Sequence, residues 1–233
     1  MTFIKVDDIN TYYTQMGNGP DILCLVGWGQ DTRMFEPTQQ ALSKYFRVTC
    51  LDYPGFGQSD TMKEPWSVDH YVKWLHEFCV LMNISNPIII AHSFGARVAL
   101  KYNLNYPIKK LVFTGAAGIR PKLKLSTQLR IRMYKILKKL VQIPLFKAYQ
   151  EDLKKAFGSE DYRAISGVLR DIFVRIVNED LSYTLNKVLV PCLLIWGDKD
   201  DATPLWMGQM MEQEMKDAGL VIFENDGHYA YWN

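Results

Sequence analysis

Short, continuous apolar runs recur along this chain of 233 residues, and polar or amphipathic stretches separate them. Continuous apolar runs, rather than strict alternation, are typical of strands that are buried on both faces of a sheet. Two more short strands are predicted near the N-terminus, in FIKV and NTYYTQM. The runs that predict the other strands are 21–26, 47–52, 87–91, 109–115, 191–197 and 220–224.

Helical patterns lie between these runs, at about 34–45, 67–83, 94–105 and 204–217. Strands that alternate with helices form a mainly parallel sheet with helices on both of its faces. The sequence therefore predicts an α/β fold of this kind.

The stretch from about 119 to 186 interrupts this alternation, because it contains no convincing strand. Its apolar residues recur at helical spacing, and Pro144 and Gly158 are expected to separate its helices. The residues at helical spacing are Leu129, Met133, Ile136, Leu137 and Leu140, then Ile165, Leu169, Ile172, Phe173 and Ile176. Residues 119–186 are therefore predicted to be a helical insertion in a core formed by 1–118 and 187–233.

A serine stands where the predicted strand 87–91 meets the following helix, in the stretch AHSFG. This stretch nearly matches the G-x-S-x-G nucleophile elbow, with Ala91 in the first small position. Such a turn exposes the hydroxyl of Ser93 and places the amide of Phe94 at a helix N-terminus, where it can stabilise an oxyanion. The alternative interpretation of Ser93 is a simple helix cap.

A nucleophilic serine needs a base, and the base needs a carboxylate that orients it. His228 follows the last predicted strand, at the carboxyl edge of the sheet, where ligand chemistry collects. His70 and His76 are expected on the surface, and His92 is expected to point away from Ser93. The candidate carboxylates follow the preceding strand, and each could equally be a turn residue: Asp198, Asp200 and Asp201.

With four motifs in this order, the chain resembles the α/β-hydrolase superfamily over nearly its whole length. GWGQD (27–31) resembles the family's oxyanion loop, and DYPGFGQSD (52–60) resembles its D-x-P-G-x-G-x-S loop. WGDKDDATP (196–204) resembles the acid loop, and DGHYAY (226–231) resembles the histidine loop. The order Ser, Asp, His is the order of that fold.

The resemblance implies an α/β-hydrolase fold in which 119–186 is a cap domain. It also implies that Ser93 is the nucleophile and that His228 takes its proton and later activates water. The acid-loop pattern selects Asp200 as the residue that orients the imidazole. The amides of Trp28 and Phe94 would form the oxyanion hole.

The sequence departs from the family in two places. The family usually has His-Gly before the oxyanion residue, and here Val26-Gly27 stands instead, which puts the rigidity of that loop in question. Relatives usually continue with a helix beyond the point where this sequence ends, at Asn233. An apolar surface left uncovered there would favour aggregation or a partner.

The substrate is less well defined. Trp28, Phe94 and Met133 are candidates to line an acyl pocket, although aromatic and Met residues are equally suited to a core. The segment 120–147 contains nine Lys or Arg and no Asp or Glu. It could be a solvated helix face, a site for an anionic ester or acyl-carrier thioester, or a surface that binds anionic lipid.

The remaining composition narrows the choice of partners and location. A net charge of +2 gives no argument for nucleic acid. The histidines and cysteines lack metal-ligand spacing, and no phosphate- or dinucleotide-binding glycine pattern occurs, so neither metal nor cofactor is expected. Without a signal peptide, a long apolar run or paired cysteines, the sequence favours the cytoplasm.

We therefore expect a small serine hydrolase that cleaves a carboxylic ester or thioester through an acyl-enzyme. Fold alone does not fix the reaction. The alternatives are a lyase or perhydrolase on the same triad, a membrane-surface lipase or lysolipase, and a non-catalytic receptor for a small molecule.

Overall fold

A computed structural model of the protein describes residues 2–120, 132–133 and 167–232. The described residues contain eight strands, and each of them lies where the sequence predicts one. The strands are β1 (Thr2–Val6), β2 (Ile9–Met16), β3 (Asp21–Leu25), β4 (Arg47–Leu51), β5 (Ile88–His92), β6 (Lys110–Thr114), β7 (Cys192–Gly197) and β8 (Ala218–Phe223).

These strands form one sheet in the order β1-β2-β4-β3-β5-β6-β7-β8. The pairs β1–β2 and β2–β4 are antiparallel, and every pair from β4 to β8 across the sheet is parallel. The chain passes from β3 to β4 on one side of β3, and then crosses to β5 on the other side. In open α/β sheets, ligands bind at the carboxyl ends of the strands on either side of such a reversal, which here are β3 and β5.

The helices among the described residues are α1 (Glu36–Leu42), α2 (Val68–Leu81), α3 (Phe94–Asn103), α4 (Gly167–Asn178) and α5 (Trp206–Glu214). Short 3₁₀ helices cover Thr32–Phe35 and Ser182–Lys187. The four predicted helices of the core are confirmed, with shorter bounds. The last one ends at Glu214 because Met215 adopts an extended backbone, and β8 begins at Ala218 rather than at 220.

The core lies on both faces of the sheet. The central strands bury most of their apolar side chains, and Leu23, Leu25 and Ile89 are fully buried. Full burial of one such side chain contributes about 1.5–3 kcal/mol to the free energy of unfolding. At the far edge, β8 instead exposes Val221, Ile222 and Phe223 over about two-fifths of their surface.

The chain divides into two compact units, Met1–Ile119 with Glu179–Asn233, and Arg120–Asn178. The predicted insertion, 119–186, extends further at its C-terminal end. Residues 179–186 are part of the first unit because Leu181 and Leu185 are fully buried and the Leu181 amide donates to the Gly118 carbonyl at 2.8 Å.

In the second unit, α4 buries Ile172 and Ile176, which lie one helical turn apart, as the spacing predicts. Met133 is helical and 51% exposed. Several predicted positions lie outside the described residues: Ile165, Pro144, Gly158, most of the basic segment and the other apolar positions of the first helix that the sequence predicts in the insertion. Among the described helices, none has the length and apolar character needed to cross a membrane.

Candidate active site

Ser93 lies between β5 and α3 in a backbone conformation that is rare for a residue with a side chain. Its φ is 47° and its ψ is −109°. Such a conformation costs about 1–3 kcal/mol and persists only where the surrounding structure enforces it. Ser93 occupies the N-cap position of α3, yet its side chain makes no capping hydrogen bond. This geometry fits a nucleophile elbow and not an ordinary helix cap.

Small residues around Ser93 allow α3 to approach β3 closely. A Cβ atom at Gly95 would overlap the backbone carbonyl of Leu25, which cannot move aside because it belongs to the sheet. Ala91, at the first small position, is fully buried. The elbow therefore needs glycine at position 95 for a steric reason.

Asp200 and His228 are in contact, although 28 residues separate them along the chain. Their Oδ2 and Nδ1 atoms are 2.8 Å apart. The other carboxylate oxygen of Asp200 accepts hydrogen bonds from the amides of Ala202, at 2.9 Å, and Thr203, at 2.8 Å. Among the three candidate aspartates, Asp200 is the one that contacts the histidine.

The environment of Asp200 favours its charged form. Burial raises the pKa of this carboxyl, but hydrogen bonds from His228 and from the Thr203 amide lower it further, and the net pKa lies below the ordinary value. The carboxylate is therefore ionised at neutral pH. A charged Asp200 beside Nδ1 favours a proton on that nitrogen and leaves Nε2 of His228 as the basic atom.

Two residues that the sequence did not single out complete this arrangement. The Thr203 hydroxyl lies 2.8 Å from Asp200 Oδ2, 3.0 Å from the Gly115 carbonyl and 3.2 Å from His228 Nδ1. Gly115 has a φ of 49°, and a Cβ atom there would lie 2.9 Å from His228 Nδ1. In the sequence, Thr203 could have been noticed as a hydroxyl residue within the acid loop, and Gly115 as a glycine directly after a strand.

His92 does not lie apart from the site, contrary to the expectation. Its ring centroid is 4.5 Å from that of His228, and its Nδ1 is 2.9 Å from the Thr114 hydroxyl. Burial, together with electrostatic repulsion from the neighbouring His228, lowers the pKa of His92 to about 3. His92 is therefore neutral at pH 7, and the His228 ring packs against it. Of the other histidines, His70 is exposed and His76 is half-buried.

The predicted oxyanion loop, which follows β3, is a tight turn around Trp28. The Gln30 amide donates to the Gly27 carbonyl at 3.3 Å, and Gly29 has a φ of 70°. A positive φ at the third residue is the requirement of a type II turn, and glycine meets it without strain. On the other side of the site, the Phe94 amide is at the first turn of α3, where helix amides have no partner within the helix.

Aromatic rings surround Phe94. The rings of Trp28, Tyr53 and Tyr71 each lie within 5.5 Å of it, centroid to centroid. Phe94 itself is buried, while Trp28 is half-buried. The two predicted pocket residues in this unit are thus in edge-to-face contact with each other. Met133 belongs to the second unit, and its role as a pocket residue stays a prediction.

Asp52 joins the loops that follow β3 and β4. Its two carboxylate oxygens accept hydrogen bonds from the amides of Thr32, at 2.7 Å, and Gln58, at 2.8 Å. Burial raises the pKa of this carboxyl. A Cβ atom at Gly57 would overlap the Asp52 side chain, which explains a glycine in the D-x-P-G-x-G stretch. Among the described residues, no group of three or more His, Cys, Asp or Glu could hold a metal ion.

Comparison with known proteins places this geometry in context. Residues 20–143 match a family described as alpha/beta hydrolase fold, and residues 177–233 match one described as TAP-like protein. The chain is 26% identical to the AB hydrolase superfamily protein YisY of Bacillus subtilis, over 99% of this chain and 93% of that protein.

Two further similarities cover most of the chain. It is 24% identical to the human monoacylglycerol lipase ABHD6, over 91% of this chain and 71% of that protein. The structure superposes on an esterase from Exiguobacterium antarcticum with a TM-score of 0.75 and 23% identity, over 97% of this chain and 92% of that one. The superposition on the esterase shows that the two proteins share a fold.

Proposed function

Because the chain belongs to the α/β-hydrolase fold family and is a hydrolase, we propose that it cleaves a carboxylic ester or thioester through an acyl-enzyme on Ser93. One observation carries the proposal. A carboxylate–imidazole pair, Asp200 with His228 at 2.8 Å, packs against the residue that precedes a strained, uncapped serine.

The first half of the reaction forms the acyl-enzyme. Nε2 of His228 takes the hydroxyl proton of Ser93 while the serine oxygen attacks the carbonyl carbon of the substrate. The amides of Trp28 and Phe94 donate to the oxygen that becomes negative. The carbon–oxygen or carbon–sulfur bond then breaks, and the leaving group takes the proton from His228.

The second half releases the acid. His228 takes a proton from water, the hydroxide attacks the acyl carbon, and Ser93 leaves and recovers its proton from His228. Asp200 remains ionised throughout and stabilises the imidazolium that forms twice in each cycle. His92 remains neutral beside it, because its own pKa is about 3, and so adds no charge that would oppose that imidazolium.

The proposal extends to the parts of the chain outside the triad. We assign the second unit, residues 120–178, as a cap that shields the acyl-enzyme from bulk water, with Met133 among the residues that contact substrate. Trp28 and Phe94 are assigned to the acyl pocket in the core. The cytoplasm is the proposed location, and a small ester or thioester is the proposed partner.

The test is a panel of p-nitrophenyl esters, from acetate to octanoate, together with an acyl thioester and a monoacylglycerol. The monoacylglycerol is included because a relative at 24% identity is named as a lipase for that ester. Wild type and Ser93→Ala are compared side by side. Loss of the serine should lower kcat by roughly 10⁴-fold or more, since the triad acts as a unit.

Turnover by the wild type that is absent in Ser93→Ala supports the proposal, and the chain-length profile measures the acyl pocket. A wild type that is inert on the whole panel, or a mutant that is equally active, refutes it. In that case a lyase or a receptor for a small molecule becomes the better account of the site.

A further inference from the structure

Gln30 closes the oxyanion turn twice. Its backbone amide donates to the Gly27 carbonyl at 3.3 Å, and its side-chain Oε1 accepts the Gly27 amide hydrogen at 3.1 Å. The same residue therefore holds both polar groups of Gly27, at the start of the turn that carries Trp28. The position of the Trp28 amide depends on how firmly this turn is held.

The other polar atom of the Gln30 side chain contacts the opposite side of the site. Its Nε2 donates to the hydroxyl of Tyr229 at 2.7 Å, although 199 residues separate the two. Tyr229 directly follows His228. One side chain thus links the loop of the assigned oxyanion donor to the loop of the assigned base.

The Tyr229 ring is fixed at its other end. It stacks on His92, with centroids 5.1 Å apart and planes 27° apart, and His92 directly precedes Ser93. His92 is itself held by Thr114 and packs against His228. These contacts restrain the position of the Tyr229 hydroxyl relative to Ser93. Through its hydrogen bond to that hydroxyl, Gln30 restrains the turn that carries Trp28.

Burial does not explain why Gln30 and Tyr229 are joined by a hydrogen bond. Tyr229 is 47% exposed, and Gln30 is half-buried. Substitutions at such partly exposed positions usually change stability little. A hydrogen bond that joins two loops of the same site is then better explained by the reaction than by folding.

We propose that Gln30 and Tyr229 are positioning residues, which hold the Trp28 amide in register with Ser93 and His228 as the oxyanion develops. This inference rests on the proposed function, since it assigns the pair a part in the same reaction. Loss of a whole oxyanion donor lowers kcat by about 10²–10³-fold. A donor that is displaced but present should cost less, roughly 10-fold, and KM should change little because the contact matters mainly in the transition state.

The experiment uses three variants and the best ester of the panel. Tyr229→Phe removes the hydroxyl and keeps the ring on His92. Gln30→Met removes both side-chain hydrogen bonds and keeps an unbranched chain. The double variant completes a cycle, and Tyr45→Phe is the matched control, because Tyr45 is a 72% exposed tyrosine that no step of the mechanism uses.

We expect Tyr229→Phe to lower kcat about 10-fold in the wild-type background and to have no effect in the Gln30→Met background, since Tyr229 acts through Gln30. KM should stay within about 3-fold, and binding of a boronic acid analogue of the transition state should weaken in proportion to kcat/KM. Tyr45→Phe should match wild type. The melting temperatures should agree within about 2–3 °C.

The failures are distinguishable. If Ser93→Ala abolishes turnover while Tyr229→Phe keeps full kcat, the positioning role is wrong and the proposed function stands. The positioning role is equally wrong if the two substitutions multiply in the double variant, or if kcat falls only together with a large loss of melting temperature. If wild type does not turn over any ester or thioester, the proposed function and this inference fail together.

Discussion

Thr203 shows how much of the site depends on one hydroxyl group. It contacts the carboxylate of Asp200, the carbonyl of Gly115 and Nδ1 of His228, and it is buried. Its single proton can be donated to the carboxylate or to the carbonyl. In either case its oxygen can accept from Nδ1 of His228. Thr203 therefore holds Asp200 and His228 together at the end of β6.

We predict that Thr203→Val destabilises the protein by about 1–3 kcal/mol, because it removes a buried hydroxyl that donates to the carboxylate or to the carbonyl. It should also raise the pKa of Asp200, since a hydrogen bond to the charged form is lost. Thr203→Ser keeps the hydroxyl and is the matched control. Urea unfolding at pH 7 measures the first effect.

The second effect has a defined sign. The folded pKa of Asp200 lies below its unfolded value, so its ionisation contributes stability above the unfolded pKa that is lost as pH falls through the folded one. In Thr203→Val this contribution should be smaller and its loss should begin at a higher pH. Unfolding curves for the two variants that shift identically between pH 7 and pH 3 would contradict this account.

The elbow between β5 and α3 is the element on which the site depends most. Its serine has a strained backbone, and the first turn of α3 lies against the carbonyl of Leu25 in β3. The start of α3 and the turn around Trp28 follow strands that are neighbours in the sheet, and the rings of Trp28 and Phe94 are in contact.

We predict that Gly95→Ala displaces the start of α3 and costs about 1–3 kcal/mol of stability, as overpacking of a dense interior does. Activity should fall further than stability alone explains, because the Phe94 amide moves with the helix. Gly219→Ala in β8 is the matched control, since a Cβ atom there meets nothing within 4 Å. Chemical unfolding and kcat on the same preparations provide the comparison, and equal behaviour of the two variants would refute the steric argument.

At the scale of the whole molecule, the parallel sheet brings four distant loops to one edge. This much follows from the sequence, because apolar runs such as 87–91 and 191–197 identify buried strands and the residues after them must share an edge. The contact between Asp200 and His228 is a consequence of that rule. The pattern of apolar residues carries no information, however, about which polar side chains meet within the edge.

The features that the sequence did not predict are ones that the pattern of apolar residues does not encode. Gln30 and Tyr229 are polar, partly exposed and 199 residues apart, so neither periodicity nor spacing relates them. The sequence predicts that His92 points away from the site, but the reversal of the chain at Ser93 leaves its ring against His228.

The predicted end of the insertion, at 186, lies beyond the observed one because residues 179–186 pack within the core without forming a strand, and a 3₁₀ helix covers most of them.

The central claim is the acyl-enzyme on Ser93, and partitioning tests it most directly. Wild type would hydrolyse two esters of one acid, with p-nitrophenyl and phenyl leaving groups, in the presence of hydroxylamine. A shared acyl-enzyme must partition between water and hydroxylamine in the same way whatever group has left. We predict one ratio of hydroxamate to acid for both esters once the enzyme-free reaction is subtracted, and no product above that background from Ser93→Ala; a ratio that changes with the leaving group would contradict the account.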